Sequence, residues 1–343
     1  MQTVFRWYFH DSSSLGELAD ESAALVVSSP PYPMIAMWDN LFSARSAEAR
    51  DALAAEDGNR AFGAMHEILD AVWKECGRVL VRGGFACVNI GDAVRSLGGS
   101  FRLYPNHARI IGAFQKLGFD VLPEILWRKQ TNAPTKFMGS GMYPAGAYVT
   151  LEHEFILIFR KGGPRDMSAS ADKSRRREGA CFWEERNKWY SDLWDFKGIR
   201  QGSVKAGKDR TAAFPFELAR RLILMYSLPG DLVVDPFLGT GTTGLACMAL
   251  GRSCAGYEIE PRREADILAA VNAFTPACAN ALIQRRITDH EEFAAQRLGE
   301  GRPLRYRNSV HGFPVMTRQE ERLRILRVQD VRVSPGEVTV SYE

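Results

Sequence analysis

The chain alternates between short apolar runs and longer amphipathic stretches. Residues 4–9 (VFRWYF) and 23–28 (AALVVS) have the length and the β-branched and aromatic content of strands. Residues 61–79 carry apolar side chains at Phe62, Met65, Leu69, Val72, Trp73, Cys76 and Val79, the stripe of an amphipathic helix. Gly83-Gly84 is expected to end that unit before a buried strand at 85–90 (FACVNI). A helix over about 105–117 and strands at 119–127 and 154–159 follow. Between about 160 and 208 the periodicity fails, and Gly, Ser, Lys and Arg dominate, interrupted by Phe182, Trp183, Trp189, Tyr190, Trp194 and Phe196. The alternation resumes with a helix near 215–227, a strand at 231–235, a helix from Thr242, a strand at 254–260 and a helix opening at Pro261. Proline suits a first helical position because its missing N–H would be unbonded there.

This order predicts an α/β fold, a doubly wound and mostly parallel sheet of Rossmann-like type with helices on both faces. The expected divisions are a first half (1–130), an irregular basic insert (131–208) that includes a returning core strand near 154–159, a second half (209–289) and a C-terminal extension (290–343). The extension is arginine-rich and ends in VRVSPGEVTV, which reads as a hairpin around Ser-Pro-Gly-Glu.

The 343 residues, 45% apolar, suffice for one large core with an appendage. No run approaches the roughly 18 apolar residues of a membrane span. The opening residues lack the order of a signal peptide, so a cytoplasmic protein without membrane partners is expected. Six scattered cysteines without C-x-x-C, and six histidines without ligand spacing, point to no metal site. The net charge of +3 conceals an asymmetry: residues 160–210 hold 14 Lys and Arg against 8 Asp and Glu, so the rest of the chain is slightly acidic.

Two stretches carry candidate chemistry. The first, DLVVDPFLGTGTTGLACMALGRSCAGYEIEP, contains G-x-G-x-x-G at Gly239, Gly241 and Gly244 between a strand and a helix, with Glu258 nineteen residues after Gly239. Glycines let the backbone approach a ligand, and the carboxylate can accept hydrogen bonds from ribose hydroxyls. Taken alone, the loop fits an NAD-type dinucleotide, as in an oxidoreductase, as well as an adenosyl ligand such as S-adenosylmethionine. A bare tight turn without a ligand leaves the order of strand, glycines, helix and acid unexplained. A carboxylate at the strand tip, Asp235 in Asp-Pro-Phe, suits an ammonium better than a pyrophosphate.

The second stretch is VVSSPPYP at 26–33. Proline fixes its own φ and holds the preceding residue extended. The tract is therefore stiff, and the carbonyls of Ser29 and Pro30, with the Ser29 hydroxyl, form a cluster of acceptors beside the flat face of Tyr32. Such a pocket suits a planar ring bearing an exocyclic amino group. An aromatic amine is a poor nucleophile because its lone pair is delocalised. Acceptors that bond both protons out of the ring plane favour the pyramidal form, whose lone pair can attack an electrophilic methyl.

The pairing of VVSSPPYP with VVDPFLGTGTTGLAC resembles the amino-group DNA methyltransferases (N4-cytosine and N6-adenine) in the permuted β arrangement, over roughly residues 4–275. The resemblance implies an S-adenosylmethionine-dependent enzyme of the Rossmann-like methyltransferase fold that flips a base from double-stranded DNA, with Ser29, Pro30, Pro31 and Tyr32 as its catalytic tetrapeptide. By the same resemblance Asp11, Phe214, Pro215, Asp235, Phe237, Gly239, Gly241, Thr242, Thr243 and Glu258 bind the cofactor. Trp127 and Lys129 fall on the target-base side, and the insert takes the place of a target-recognition region. Independently, Lys173, Arg175, Arg176 and Arg177 in KSRRRE could neutralise phosphates. The serine at the head of the tetrapeptide is the form usual in N4-cytosine enzymes, which favours cytosine over adenine. A cognate restriction endonuclease and a homodimer are further partners that the family suggests.

Overall fold

The structure, a computed structural model, describes residues 1–129, 138–139, 143–198 and 214–343. The rest of the expected insert at 131–208, and residues 209–213, lie outside the described residues. The principal strands are β1 (Gln2–Tyr8), β2 (Ala23–Ser28), β3 (Leu80–Ile90), β4 (Phe119–Arg128), β5 (His153–Lys161), β6 (Leu193–Asp195), β7 (Leu232–Asp235), β8 (Ser253–Tyr257), β9 (Val328–Ser334) and β10 (Glu337–Tyr342). They form one sheet in the order β6-β4-β5-β3-β2-β7-β8-β1-β10-β9. Its centre, β3-β2-β7-β8-β1, is parallel. β5 runs antiparallel to β3 and β4, and β10 to β1 and β9.

The helices are α1 (Asp39–Arg45), α2 (Ala47–Ala54), α3 (Gly58–Val79), α4 (Asn106–Lys116), α5 (Ser170–Glu178), α6 (Trp183–Trp189), α7 (Phe216–Tyr226), α8 (Thr242–Leu250), α9 (Glu264–Ala273) and α10 (Pro276–Gly299). Two cores flank the sheet. Met65, Leu69, Val72 and Trp73 of α3 and Phe114 of α4 pack on one face with Val26 of β2. Leu218 and Leu222 of α7, Met248 of α8 and Val271 of α9 pack on the other with Leu25 and Val27. Alternate side chains of β2 thus enter opposite cores, which is why all six of its residues are buried and why it reads as an unbroken apolar run. Each fully buried Val or Leu contributes roughly 1.5–3 kcal/mol.

Three features differ from the sequence-based expectation. Gly83-Gly84 lies inside β3 rather than ending a unit: Gly83 has φ +77°, and a Cβ there would sit 2.2 Å from the Arg165 backbone nitrogen. Besides the expected core strand β5, the insert holds regular elements, α5, α6 and β6, and β6 also joins the main sheet. α5 (SADKSRRRE) buries none of its residues, so it had no apolar stripe to read. α10 runs unbroken through the boundary expected at 290, started by Thr275, whose hydroxyl accepts from the Cys278 amide, and by Pro276 at its first turn. The terminal hairpin forms as expected and joins the chain's own β1, so it completes the sheet. Among the described residues no single helix is long and apolar enough to cross a membrane.

Candidate active site

The strand order reverses between β2 and β7. From β2 the chain moves through α3 to β3 on one side; from β7 it moves through α8 to β8 on the other. Ligands of open α/β sheets bind in the crevice beyond such a switch point. Both candidate motifs emerge there, because Leu25 and Val26 pair with Val233 and Val234. A cavity of about 890 Å³ opens above them. Ser29 and Pro31 contribute to its wall from β2, and Phe237, Gly239 and Thr242 from the glycine loop. Asp11, Phe214 and Glu258 complete the set of expected residues that line it.

On the glycine side each residue has a local reason to be there. Gly239 (φ +57°) and Gly241 (φ +87°) take left-handed conformations that a side chain disfavours, and Gly241 caps α8. A Cβ on Gly244 would sit 2.2 Å from the Phe5 ring, so this glycine lets α8 lie close on β1. Glu258 accepts the amides of Gly239 and Glu260, both at 2.9 Å, which fixes its carboxylate at the cavity wall. Burial nevertheless pushes its pKa up, more than these two bonds lower it. Asp235 turns inward: Oδ1 accepts from Ser28 Oγ at 3.0 Å and from the Phe237 amide, and Oδ2 accepts from the Thr243 hydroxyl. It is 1% exposed, and desolvation raises its pKa to about 6. Thr243 is therefore a buried support of Asp235, and Pro215 is the residue before α7 rather than part of the wall. Asp11 is paired with Arg45 and accepts the Ser13 amide at 2.9 Å. Burial alone would raise its pKa; the Ser13 amide and the Arg45 guanidinium outweigh that and lower it.

On the tetrapeptide side the structure supplies partners that the sequence reading missed. The Tyr32 hydroxyl lies 3.2 Å from Ser29 Oγ and donates to Glu154 Oε2 at 3.0 Å. Asn89 Nδ2 donates to that same carboxylate oxygen at 2.7 Å and lies 2.8 Å from the Tyr32 hydroxyl. Glu154 Oε1 is paired with Lys129. Burial, then the negative charge of Glu154, pushes the Tyr32 pKa well up, so the phenol stays neutral. Pro30 is buried. Asn106 donates to the carbonyls of Pro33 and Gly91 and pins the loop from below. The missed signal was a polar residue at each strand end: Asn89 near the C-terminal end of β3 and Glu154 near the N-terminal end of antiparallel β5 share one sheet edge.

The residues expected to contact DNA do not gather at the crevice. Trp127 is 1% exposed; its indole donates to the Phe196 carbonyl at 3.0 Å and its ring stacks on Phe196. It is a core residue with no face left for a base. Lys129 lies 4.8 Å from the Trp127 ring centroid and holds Glu154, so it belongs to the tetrapeptide network. Lys173, Arg175, Arg176 and Arg177 on α5 lie at the opposite end of the sheet. Arg175 binds Asp231, just before β7, and the Pro229 carbonyl, whereas the crevice begins beyond Asp235 at the other end of that strand. This run does not border the crevice. Among the described residues no group of His, Cys, Asp and Glu is arranged to hold a metal ion.

The residues of the cavity fit a nucleoside-bearing cofactor: a fixed carboxylate at the wall, an aromatic ring at Phe237, and a glycine loop where a Cβ on Gly239 would meet no atom within 4 Å. Comparison with known proteins agrees. A family model described as DNA methylase (N6_N4_Mtase) matches residues 23–269. The type II methyltransferase M.MthZI of Methanothermobacter thermautotrophicus is 49% identical over 95% of this chain and 91% of its own length. The type II methyltransferase M.MjaI of Methanocaldococcus jannaschii is 48% identical over 74% of this chain and 86% of its own. The crystal structure of a putative DNA modification methylase from Thermus thermophilus, complexed with S-adenosyl-L-methionine, superimposes with a TM-score of 0.60 at 30% identity, covering 80% of this chain and 96% of that one. The chain belongs to the N6/N4 DNA methylase family, and is a β-class DNA amino-methyltransferase that uses S-adenosylmethionine.

Proposed function

We propose that this enzyme methylates the exocyclic N4 amino group of cytosine in duplex DNA. The observation that carries the choice is Ser29 at the head of the tetrapeptide, on the cavity wall and hydrogen-bonded to Tyr32. This serine is the form usual in the N4-cytosine enzymes of the resembled family. Glu258, Phe237 and Asp11 would hold the cofactor, which supplies an electrophilic methyl group. On the opposite wall, the Ser29 hydroxyl and the carbonyls of Ser29 and Pro30 accept the two amino protons of a flipped base and favour its pyramidal form. The nitrogen lone pair forms the new N–C bond as the methyl–sulfur bond breaks, and the surplus amino proton leaves to water. Glu154, Asn89 and Tyr32 hold the Ser29 hydroxyl in one orientation. Flipping costs a few kcal/mol, which stacking on the Tyr32 ring and phosphate contacts offset.

Mass spectrometry of nucleosides from DNA treated with the enzyme tests the proposal. N4-methylcytosine is expected, and recovery of N6-methyladenine alone would overturn it. The type II relatives also support a cognate restriction endonuclease as partner. A host extract that cuts untreated DNA and spares enzyme-treated DNA would bear this out, and equal cutting of both would not.

A further inference from the structure

The basic run on α5 is left without a role by its distance from the crevice, yet it is not isolated. The Arg324 amide donates to the Glu178 carbonyl at 2.9 Å, joining the end of α5 to the C-terminal unit. That unit is packed: Phe182, Ile283, Val315, Leu323 and Ile325 form its core, and Asn308 Nδ2 donates to the carbonyls of Glu320 and Leu323, both at 2.8 Å. Arg322 and Arg324 flank buried Leu323 and are both exposed. On α5, Arg175 is anchored inward on Asp231, which leaves Lys173, Arg176 and Arg177 exposed.

We propose that these five side chains form a second phosphodiester-binding surface for duplex DNA, at the end of the sheet opposite the catalytic crevice. The acids nearby do not neutralise it. Asp172 pairs with Arg175, and Glu178 accepts the Ser174 hydroxyl. Glu320 is 2% exposed and accepts from Thr317 and from the Trp183 amide. Asp166 is close enough to Lys173 for that ammonium to help lower its pKa, but no ion pair joins Asp166 or Glu321 to one of the five cations among the described residues. Clustered cations that are not ion-paired repel one another, and a polyanion relieves that repulsion. Four of the five are arginines, whose planar fork matches phosphate oxygens. The crevice begins beyond Asp235, four residue steps or about 13 Å along the strand from Asp231. The surface would hold phosphates away from the flipped nucleotide, and raise the local concentration of substrate. The inference does not depend on which base is methylated.

The test uses the full chain and a 30-base-pair duplex of arbitrary sequence, with binding followed by fluorescence anisotropy from about 50 to 250 mM NaCl. The variant carries Lys173→Gln, Arg176→Gln, Arg177→Gln, Arg322→Gln and Arg324→Gln. Each lost phosphate contact lowers the slope of log K against log salt by about 0.9, so a fall of about 3 or more is expected. The methylation rate on saturating genomic DNA should be unchanged. A double variant, Arg176→Gln with Arg177→Gln on the exposed helix face, should lower the slope by about 2 and melt with the wild type. Slopes equal to the wild type in both variants would overturn the proposal, as they would if the patch served an acidic protein instead.

Discussion

The Ser28 hydroxyl donates to Asp235 Oδ1 at 3.0 Å, and this bond ties the strand that carries the tetrapeptide to the strand that carries the glycine loop. Both residues are buried, so the two halves of the site are joined at the base of the crevice rather than across its mouth.

Asp235 sets one pH dependence. Its carboxyl is protonated in both folded and unfolded chains below about pH 4. Between there and its folded pKa of about 6 the unfolded chain ionises first, so stability falls as pH rises. Above that value the buried charge costs about 3 kcal/mol. The ionised form favours a cationic ligand, so S-adenosylmethionine affinity should tighten as pH rises from 5 to 7. Asp235→Asn should flatten this profile in calorimetric titration, weaken binding at pH 7.5 about tenfold, and melt no lower than the wild type at neutral pH.

Glu258 holds the Gly239 and Glu260 amides with separate oxygens. Glu258→Gln keeps one good acceptor and turns an NH2 group towards the other amide. Loss of one charge-assisted bond, together with a mispaired donor, should weaken cofactor binding by about 2 kcal/mol, roughly thirtyfold. Titration with S-adenosylhomocysteine reads this independently of activity.

Glu154 reaches the target amino group only through Tyr32 and Ser29, so it acts as a positioning residue. Glu154→Gln should lower kcat about tenfold, some 1.4 kcal/mol, while KM for S-adenosylmethionine stays within a factor of two. Lys129→Met should reproduce part of that loss. An equal rise in KM for the cofactor would place Glu154 in cofactor binding instead.

His290 gives a second pH response of stability, of the same sign but at higher pH. Its ring stacks on Phe182 at 3.9 Å, with Nδ1 2.7 Å from Glu184 and Nε2 2.8 Å from the Pro314 carbonyl. Burial alone would lower its pKa; Glu184 and the carbonyl reverse that, and the net shift is upward. A raised imidazolium stabilises the fold fully below the unfolded value near 6.5, and that contribution is lost as pH rises through the folded value. Amide exchange in residues 306–325 should accelerate on going from pH 6 to pH 8, after correction for intrinsic rates. In His290→Asn it should be fast at both.

The parallel core was legible because strands between two helical layers read as uninterrupted apolar runs, as in AALVVS, and because α3 and α7 carry wide apolar stripes. The glycine loop and the tetrapeptide were legible because prolines and glycines impose backbone geometry in one dimension. What failed depended on the third. Trp127 reads equally as a stacking platform or as core, and only its bond to Phe196 decides. KSRRRE reads as basic, but that it lies at the end of the sheet away from the crevice follows only from the antiparallel return of β5. Asn89 and Glu154 lie 65 residues apart and meet only because β3 and β5 pair with their active edges aligned.

The central claim is that the Ser29 hydroxyl, held by Tyr32, activates the amino group beside the cofactor cavity. Its most direct test is the single-turnover rate of methyl transfer by Ser29→Ala on saturating DNA, with cofactor affinity measured alongside. A fall of about a hundredfold or more, equivalent to about 2.7 kcal/mol, with S-adenosylmethionine binding within a factor of two, is the predicted result. An undiminished rate would contradict the account.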